Sequence, residues 1–489
     1  MAKQNRRKEL LHFFKTICRI PRQSGDEEAI SRYMVEFAKS RGLAAERDAF
    51  CNVLIRKPAT IPGYSGPTVI LQGHMDMVYV KTPESAHIYK DGIRVKEEDG
   101  FLRAADGTSL GADNGLALAC VMDLMDRRDL RLPALEILLT ASEETGLEGV
   151  KNLELHDVRG TYLINLDAEE EGVFITSCAG GVRTDLSLPL AYETKAEETG
   201  VLLTLEGLRG GHSGLDIGLG RANAVRILGR ILSHANGLAD CSYLESLGKA
   251  NAIASQGSVR LHMSQERREA LLEKLCSLER DVRQEFAGTE EIRFRIEERA
   301  GAQEARVLTQ ESMEKLIQAI TLLPCGVLTW DRKNRELAQT SSNIGSMAIA
   351  GDRMIFLCSG RSSVKREKER LKEYMQVLAQ ALGMQYRFHG DYPQWEYAGR
   401  SRLREICGEV YAAYSGRDAV FTGIHAGIEC GYLAEKLGSH IDMISCGANL
   451  YDVHTPAERA EVESFYRMEE ILIAVLERVA ACQRDLHLN

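Results

Sequence analysis

Nothing in this sequence approaches the roughly 20 uninterrupted apolar residues of a membrane-spanning helix, so no such span is expected. The N-terminal stretch MAKQNRRKELLHFFKTICRI also falls short of an export signal, because Lys15, Arg19 and Arg22 break the apolar run that follows its basic residues. The twelve cysteines stand singly, without a CxxC pair or a dense framework, which reads as reduced thiols in a cytoplasmic protein. There is no clear internal repeat and no long acidic tail. The 61 basic residues are outnumbered by 71 acidic ones, for a formal charge of -10, and that balance weighs against nucleic acid and anionic membrane as partners.

What is present is length and alternation. A chain of 489 residues exceeds a typical domain of about 100 to 200 residues, so more than one unit is expected. Two amphipathic helical patterns between Arg7 and Arg41 flank IPRQSGDEEAI, where Ser24 to Glu27 read as the cap of the second helix. Strand-like PTVILQG, helical NGLALACVMDLMDRR, and strand-like ALEILLTAS and TYLINLD then alternate. That order predicts an α/β catalytic domain with a doubly wound, mostly parallel sheet. From about residue 187 the texture changes to strands such as GVLLTLEGL, QGSVRLHM, EIRFRIEER and RMIFLCSG, set between charged amphipathic helices. One of those helices would pack through Leu371, Tyr374, Leu378 and Leu382. After HGDYPQWEYAGRSR the first texture returns. The expected organisation is a catalytic domain of residues 1–186 and 393–489, with residues 187–392 inserted as a second α/β domain.

Ligands of doubly wound sheets bind at the carboxyl ends of the strands, and polar groups recur at those ends. His74 and Asp76 follow VILQG, Glu143 and Glu144 follow EILLTAS, Asp167 follows YLIN, and His454 follows IDMISCG and a short loop. Asp113 lies at the start of the helix after SLGA. Taken singly, each charged residue reads as solvated surface or a helix cap. Together, groups from five segments read as a site for two metal ions. Imidazole nitrogen with carboxylate oxygen suits zinc, manganese or cobalt better than calcium or magnesium. Metals roughly 3.5 to 4 Å apart share a bridging carboxylate, for which Asp113 is the candidate. Asp76, two residues from His74, points the same way along an extended strand and can accept the ring's second N–H. Of the neighbours Glu143 and Glu144, whose side chains diverge, one can hold metal while the other faces water as a general base.

The stretches GHMDMV, GADNGLALA, ASEETGLEG, NLDAEEEG and HTPAE, in order across nearly the whole chain, resemble the signature set of the co-catalytic zinc peptidases related to carboxypeptidase G, aminoacylase and the cytosolic dipeptidases. RGGHSGLDIGLGRANA and GIHAGIECG are most similar to those of the aminoacyl-histidine (Xaa-His) dipeptidases. The resemblance implies that His74, Asp113 and Asp167 hold one metal, most readily zinc, and that Asp113, Glu144 and His454 hold the other. It makes Asp76 the orienter of His74 and Glu143 the base that activates the bridging water, giving the hydroxide that attacks, and later protonates the leaving amine. The inserted domain becomes a lid, from which His212 would stabilise the oxyanion and Arg361 would grip the carboxylate of a dipeptide. Asn251 and the His425 to Gly427 loop would contact substrate in the same pocket. Here the chain reads NAIASQ where relatives commonly read NAIPRE. The implied activity is hydrolysis of dipeptides such as β-alanyl-histidine, or of a broader set. An N-acyl-amino-acid amidohydrolase and a non-catalytic peptide-binding protein on the same fold are the alternatives. A homodimer through the lid domain, with His212 acting in its own chain or across the pair, is left open.

Overall fold

The computed structural model describes residues 2–153, 158–196, 199–300, 304–438 and 440–482. The chain divides into two compact units: Met1–Ser177, Tyr397–Gly423 and Ile428–Asn489 form the first, and Cys178–Glu396 with Ile424–Gly427 forms the second.

The first unit is built on an eight-stranded sheet. Its centre is parallel, in the order Leu135–Thr140, Val69–His74, Tyr162–Ala168 and Asp442–Gly447. Antiparallel strands flank it, Val53–Lys57 and Ala44–Arg47 on one side and Val173–Cys178 on the other. The central strands read as continuous apolar runs because both of their faces are covered. Val69 and Leu71 enter the main core, whereas Ile70 between them is equally buried on the other side. The helix Ala112–Asp126 makes the crossover from the His74 strand and packs on the central strands with Ala2–Cys18 beside it. Its close approach depends on Gly73, where a Cβ would collide with the Asn114 side chain. Parallel strands joined by crossovers put all their carboxyl ends on one rim, which is why His74, Ser142 to Glu144 and Asp167 converge. A small four-stranded sheet, Leu450–Tyr451, Arg459–Glu461, Phe101–Ala104 and Val95–Glu98, presents the loop with His454 from between its first two strands.

The second unit is a nine-stranded antiparallel sheet with helices Ala224–Ala235, Gln265–Glu285, Gln310–Leu322 and Lys365–Ala381 packed into its own core. Its first strand, Gly180–Pro189, pairs on both sides with Arg353–Ser362 and Gln385–Tyr392. A boundary at residues 186 and 187 would cut this strand. The change of unit comes at Cys178 instead, without a change of composition, because an alternating strand looks alike in either unit. Two further differences from expectation are local. Tyr374 is 48% exposed and Met375 takes its place in the core. Ser24 does not cap a helix: Glu27 occupies the N-cap of Glu28–Lys39 without a side-chain cap bond.

Candidate metal centre

The His74 ring is buried, and both of its nitrogens face acceptors only. Nδ1 lies 3.3 Å from Asp76 Oδ1 and 3.2 Å from the Asp76 carbonyl, while Nε2 lies 3.1 Å from Asp113 Oδ1 and 3.2 Å from Asp167 Oδ1. The other oxygen of Asp113 is 3.2 Å from His454 Nε2, which is also 2.7 Å from Glu144 Oε1. Donor atoms of His74, Asp113 and Asp167 lie within 4.8 Å of one another; so do those of Asp113, Glu144 and His454, and those of His74, Glu143 and Glu144. The first two triads share Asp113. Its carboxylate serves a different imidazole with each oxygen, which is the geometry a bridging ligand needs.

Electrostatics point the same way. Burial lowers the His74 pKa, but Asp167, Asp113 and Asp76 outweigh it and raise the group well above its ordinary value. Hydrogen bonds to Asp113 and Glu144 push His454 up to about 11. Burial would raise Asp113, yet the two imidazoles hold it far below the carboxylate range. Burial pushes Asp167 up to about 7 and raises Glu143 well above its usual value. So many acceptors in a dry site draw protons onto any base available, and divalent cations would replace those protons. Asp167 Oδ1 is buried 3.2 Å from His74 Nε2 but, among the described residues, makes no well-formed hydrogen bond, an arrangement that a metal ion shared with the imidazole would satisfy. The nitrogen and oxygen set fits zinc, manganese or cobalt.

The shell around these groups contains residues that the sequence left unassigned. Asp76, fully buried, accepts from the Glu143 N–H (3.0 Å), the Glu144 N–H (3.2 Å) and Ser24 Oγ (2.7 Å) in addition to its contact with His74. It therefore fixes the imidazole and the two-glutamate turn from one carboxylate. Glu27 Oε1 accepts from the N–H and the hydroxyl of Ser142, at 2.9 and 2.8 Å. Arg22, also fully buried, donates to the carbonyls of Met75 (2.9 Å), Asp76 (2.7 Å) and Gly111, tying the His74 loop to the Asp113 loop. Glu458 accepts from the N–H groups of Leu110 (2.7 Å), Gly111 (3.0 Å) and Ala112 (2.8 Å), so the helix that starts at Ala112 takes its cap from a distant carboxylate. Glu429, beneath the sheet rim, accepts from Thr140 Oγ1 at 2.7 Å and from Gln72, and burial pushes it up to about 7. Ser142 and His454 adopt left-handed backbone, with φ of 50° and 62°, a conformation that non-glycine residues favour only where the surroundings hold them.

The second unit carries the other residues singled out. His212 stands in a short strand that pairs with Ala252–Ile253, and its N–H donates to Asp216 Oδ2 at 2.8 Å. The N–H groups of Gly214 and Leu215 donate to its Nδ1 (3.3 and 3.1 Å), which leaves the proton of the neutral ring on Nε2. Burial, then Arg361, lowers its pKa. Arg361 is buried and donates from Nη1 to the Tyr392 hydroxyl at 2.6 Å. His425 Nε2 lies 2.7 Å from Ser341 Oγ, and burial together with Arg361 pushes this imidazole down to about 3. Asn251 offers its carbonyl to the Ser213 N–H (2.9 Å) while its side chain is exposed. Gly427 makes room: a Cβ there would meet the Tyr392 ring at 2.5 Å.

Residues 70–478 match the model of peptidase family M20/M25/M40. The chain is 31% identical to the cytosol non-specific dipeptidase of Escherichia coli over 96% of its length and 98% of that protein's. Among solved structures it superposes on an aminoacylhistidine dipeptidase from Vibrio alginolyticus with a TM-score of 0.89 at 31% identity, covering 96% of each chain. An aminopeptidase from Bacillus cereus shares the fold, with a TM-score of 0.62 at 17% identity over 97% of this chain and 99% of the other.

Proposed function

This chain belongs to peptidase family M20/M25/M40 and is a metallopeptidase, and on that premise we propose that it hydrolyses dipeptides, Xaa-His substrates such as β-alanyl-histidine among them. The names of its two 31% identical relatives support this substrate class. The observation that carries the reading is the Asp113 carboxylate shared by two imidazoles. His74, Asp113 and Asp167 would hold one divalent ion and Asp113, Glu144 and His454 the other, zinc being the first choice and manganese or cobalt the alternatives. Such ions supply Lewis acidity that polarises the scissile carbonyl and acidifies water.

Glu143 takes the proton of the attacking water and delivers it to the leaving amine. Its backbone is pinned by Asp76, so the carboxylate is presented from a fixed turn. His212, with its proton on Nε2, donates to the carbonyl oxygen as negative charge grows there. Arg361 binds the C-terminal carboxylate of the substrate. A cytosolic location belongs to the same reading, supported by the relative's name and by twelve cysteines outside any disulfide. Among the described residues no helix is long and apolar enough to cross a membrane. A homodimer through the second unit is checked by sedimentation.

The deciding experiment replaces Glu143 with Gln and measures bound metal together with turnover. Hydrolysis should vanish while two metals per chain remain; retained turnover would sink the mechanism. Assays of β-alanyl-histidine and ordinary dipeptides beside N-acetyl amino acids separate a dipeptidase from an amidohydrolase.

A further inference from the structure

Arg361 is 8% exposed, yet among the described residues no carboxylate lies within ion-pair distance of it, and its Nε has no hydrogen-bond partner. An unpaired buried guanidinium is costly, so this one awaits an anion. Its one side-chain bond among the described residues, from Nη1 to the Tyr392 hydroxyl, uses that oxygen as an acceptor. The hydroxyl proton is then free, and among the described residues nothing accepts it. Each tyrosine hydroxyl has one proton to donate, so the next acceptor to arrive beside Arg361 would receive it.

The placement of Tyr392 is over-determined. Its ring fills space that exists because Gly181 and Gly427 have no side chains; a Cβ at either would strike the ring or its hydroxyl. Its main chain is held as well, since Lys368, itself buried, donates to the Tyr392 carbonyl at 2.7 Å and pairs with Asp391 at 2.6 Å. Burial raises the phenol's pKa, so the proton stays on through the neutral range. The nearby His425 bonds to Ser341 and brings no negative charge.

We propose that Tyr392 is a specificity residue: it accepts from Arg361 to fix the guanidinium and donates its own O–H to the substrate's C-terminal carboxylate, completing a receptor that favours free dipeptides over their amides. This rests on the reading of Arg361 as the carboxylate site.

The test compares an unblocked dipeptide with its C-terminal amide, both as substrates of the metal-loaded enzyme, and the product amino acid with its amide as competitive inhibitors. In Tyr392→Phe, where the ring still fills the slot, the preference for carboxylate over amide should fall roughly 10- to 100-fold, the range for a hydrogen bond to a charged group, chiefly through KM and the inhibition constant. Gly427→Ala, which displaces the ring but keeps the hydroxyl, should lower the same preference, and it carries the test if the phenylalanine variant does not fold. An unchanged preference in the folded variant would overturn the role of Tyr392 alone. A wild-type enzyme without any preference would overturn the Arg361 reading together with it.

Discussion

Removal of the Asp76 carboxylate should be felt at two places at once. In Asp76→Ala the His74 Nδ1 loses its side-chain acceptor at 3.3 Å but keeps the main-chain carbonyl of position 76 at 3.2 Å, whereas the Glu143 N–H, the Glu144 N–H and the Ser24 hydroxyl lose their acceptors at 3.0, 3.2 and 2.7 Å. A donor stranded in a buried site costs about 1 to 3 kcal/mol. Three of them, partly rescued by water in the space the carboxylate leaves, come to about 3 to 5 kcal/mol, which is less than the upper range of a domain's stability. The variant should fold with a lowered urea midpoint. Orienting partners of metal ligands are typically worth about 10- to 100-fold in affinity or activity, so metal should bind that much more weakly, as read by competition with a chromophoric chelator. Saturating metal should restore occupancy but not the full rate, because the turn presenting Glu143 has lost its anchor. Asp76→Asn separates the effects. An amide keeps the volume and one acceptor but sets an N–H against the donors that faced the second oxygen. Wild-type metal affinity and turnover in the alanine variant would refute the whole account of this residue.

Glu458→Ala strands three backbone donors at the start of the Asp113 helix; a stability loss of about 3 kcal/mol or more in urea unfolding is expected, with activity falling because Asp113 is misplaced. Chelation should abolish activity and added zinc restore it; activity that survives exhaustive chelation would defeat the metal assignment. Glu469, buried against Asp123, is pushed up to about 8 by burial first and by the shared proton second. The folded state thus holds a proton that the unfolded chain, with an ordinary carboxylate near 4.5, gives up. This contribution is fully present below the unfolded pKa and is lost as pH rises through about 8. Glu469→Gln keeps the hydrogen bond without the ionisation, so its stability relative to wild type should improve steadily from pH 5 to 8 and then level off in thermal melts.

The convergence at the rim was legible because it follows from topology. Once the apolar runs before His74, Glu143 and Asp167 are read as parallel strands, their ends must meet. The spacing of His74 and Asp76 told the direction of the second side chain for the same reason. Arg22 and Glu458 escaped because their partners are main-chain carbonyls and N–H groups, which every residue carries and no pattern marks. Glu458 ends HTPAE, four residues after His454, where nothing in the pattern separates it from a solvated glutamate. Ser24 reads in the sequence as a cap of the helix next to it, although its hydroxyl reaches a carboxylate 52 positions away. Tyr392 lies in HGDYPQWEYAGRSR, which in the sequence marks only the point where the first texture returns. Its signal was the pair of distant glycines that make room for its ring, and such a relation appears only when the chain is folded.

The second unit is not a single excisable insert. The chain changes unit at Cys178 and Tyr397, and again at Ile424 and Ile428, and the Ala179 N–H is shared between the carbonyls of Ile424 and Ala426, at 3.1 and 3.2 Å. A deletion of residues 178–396 would therefore strand a four-residue piece that brings His425 and Gly427 to the other domain, leaving its carbonyls without their donor. Recombining catalytic and inserted units between relatives would have to move this short segment along with the long one, so two non-contiguous stretches of the gene are bound to change together.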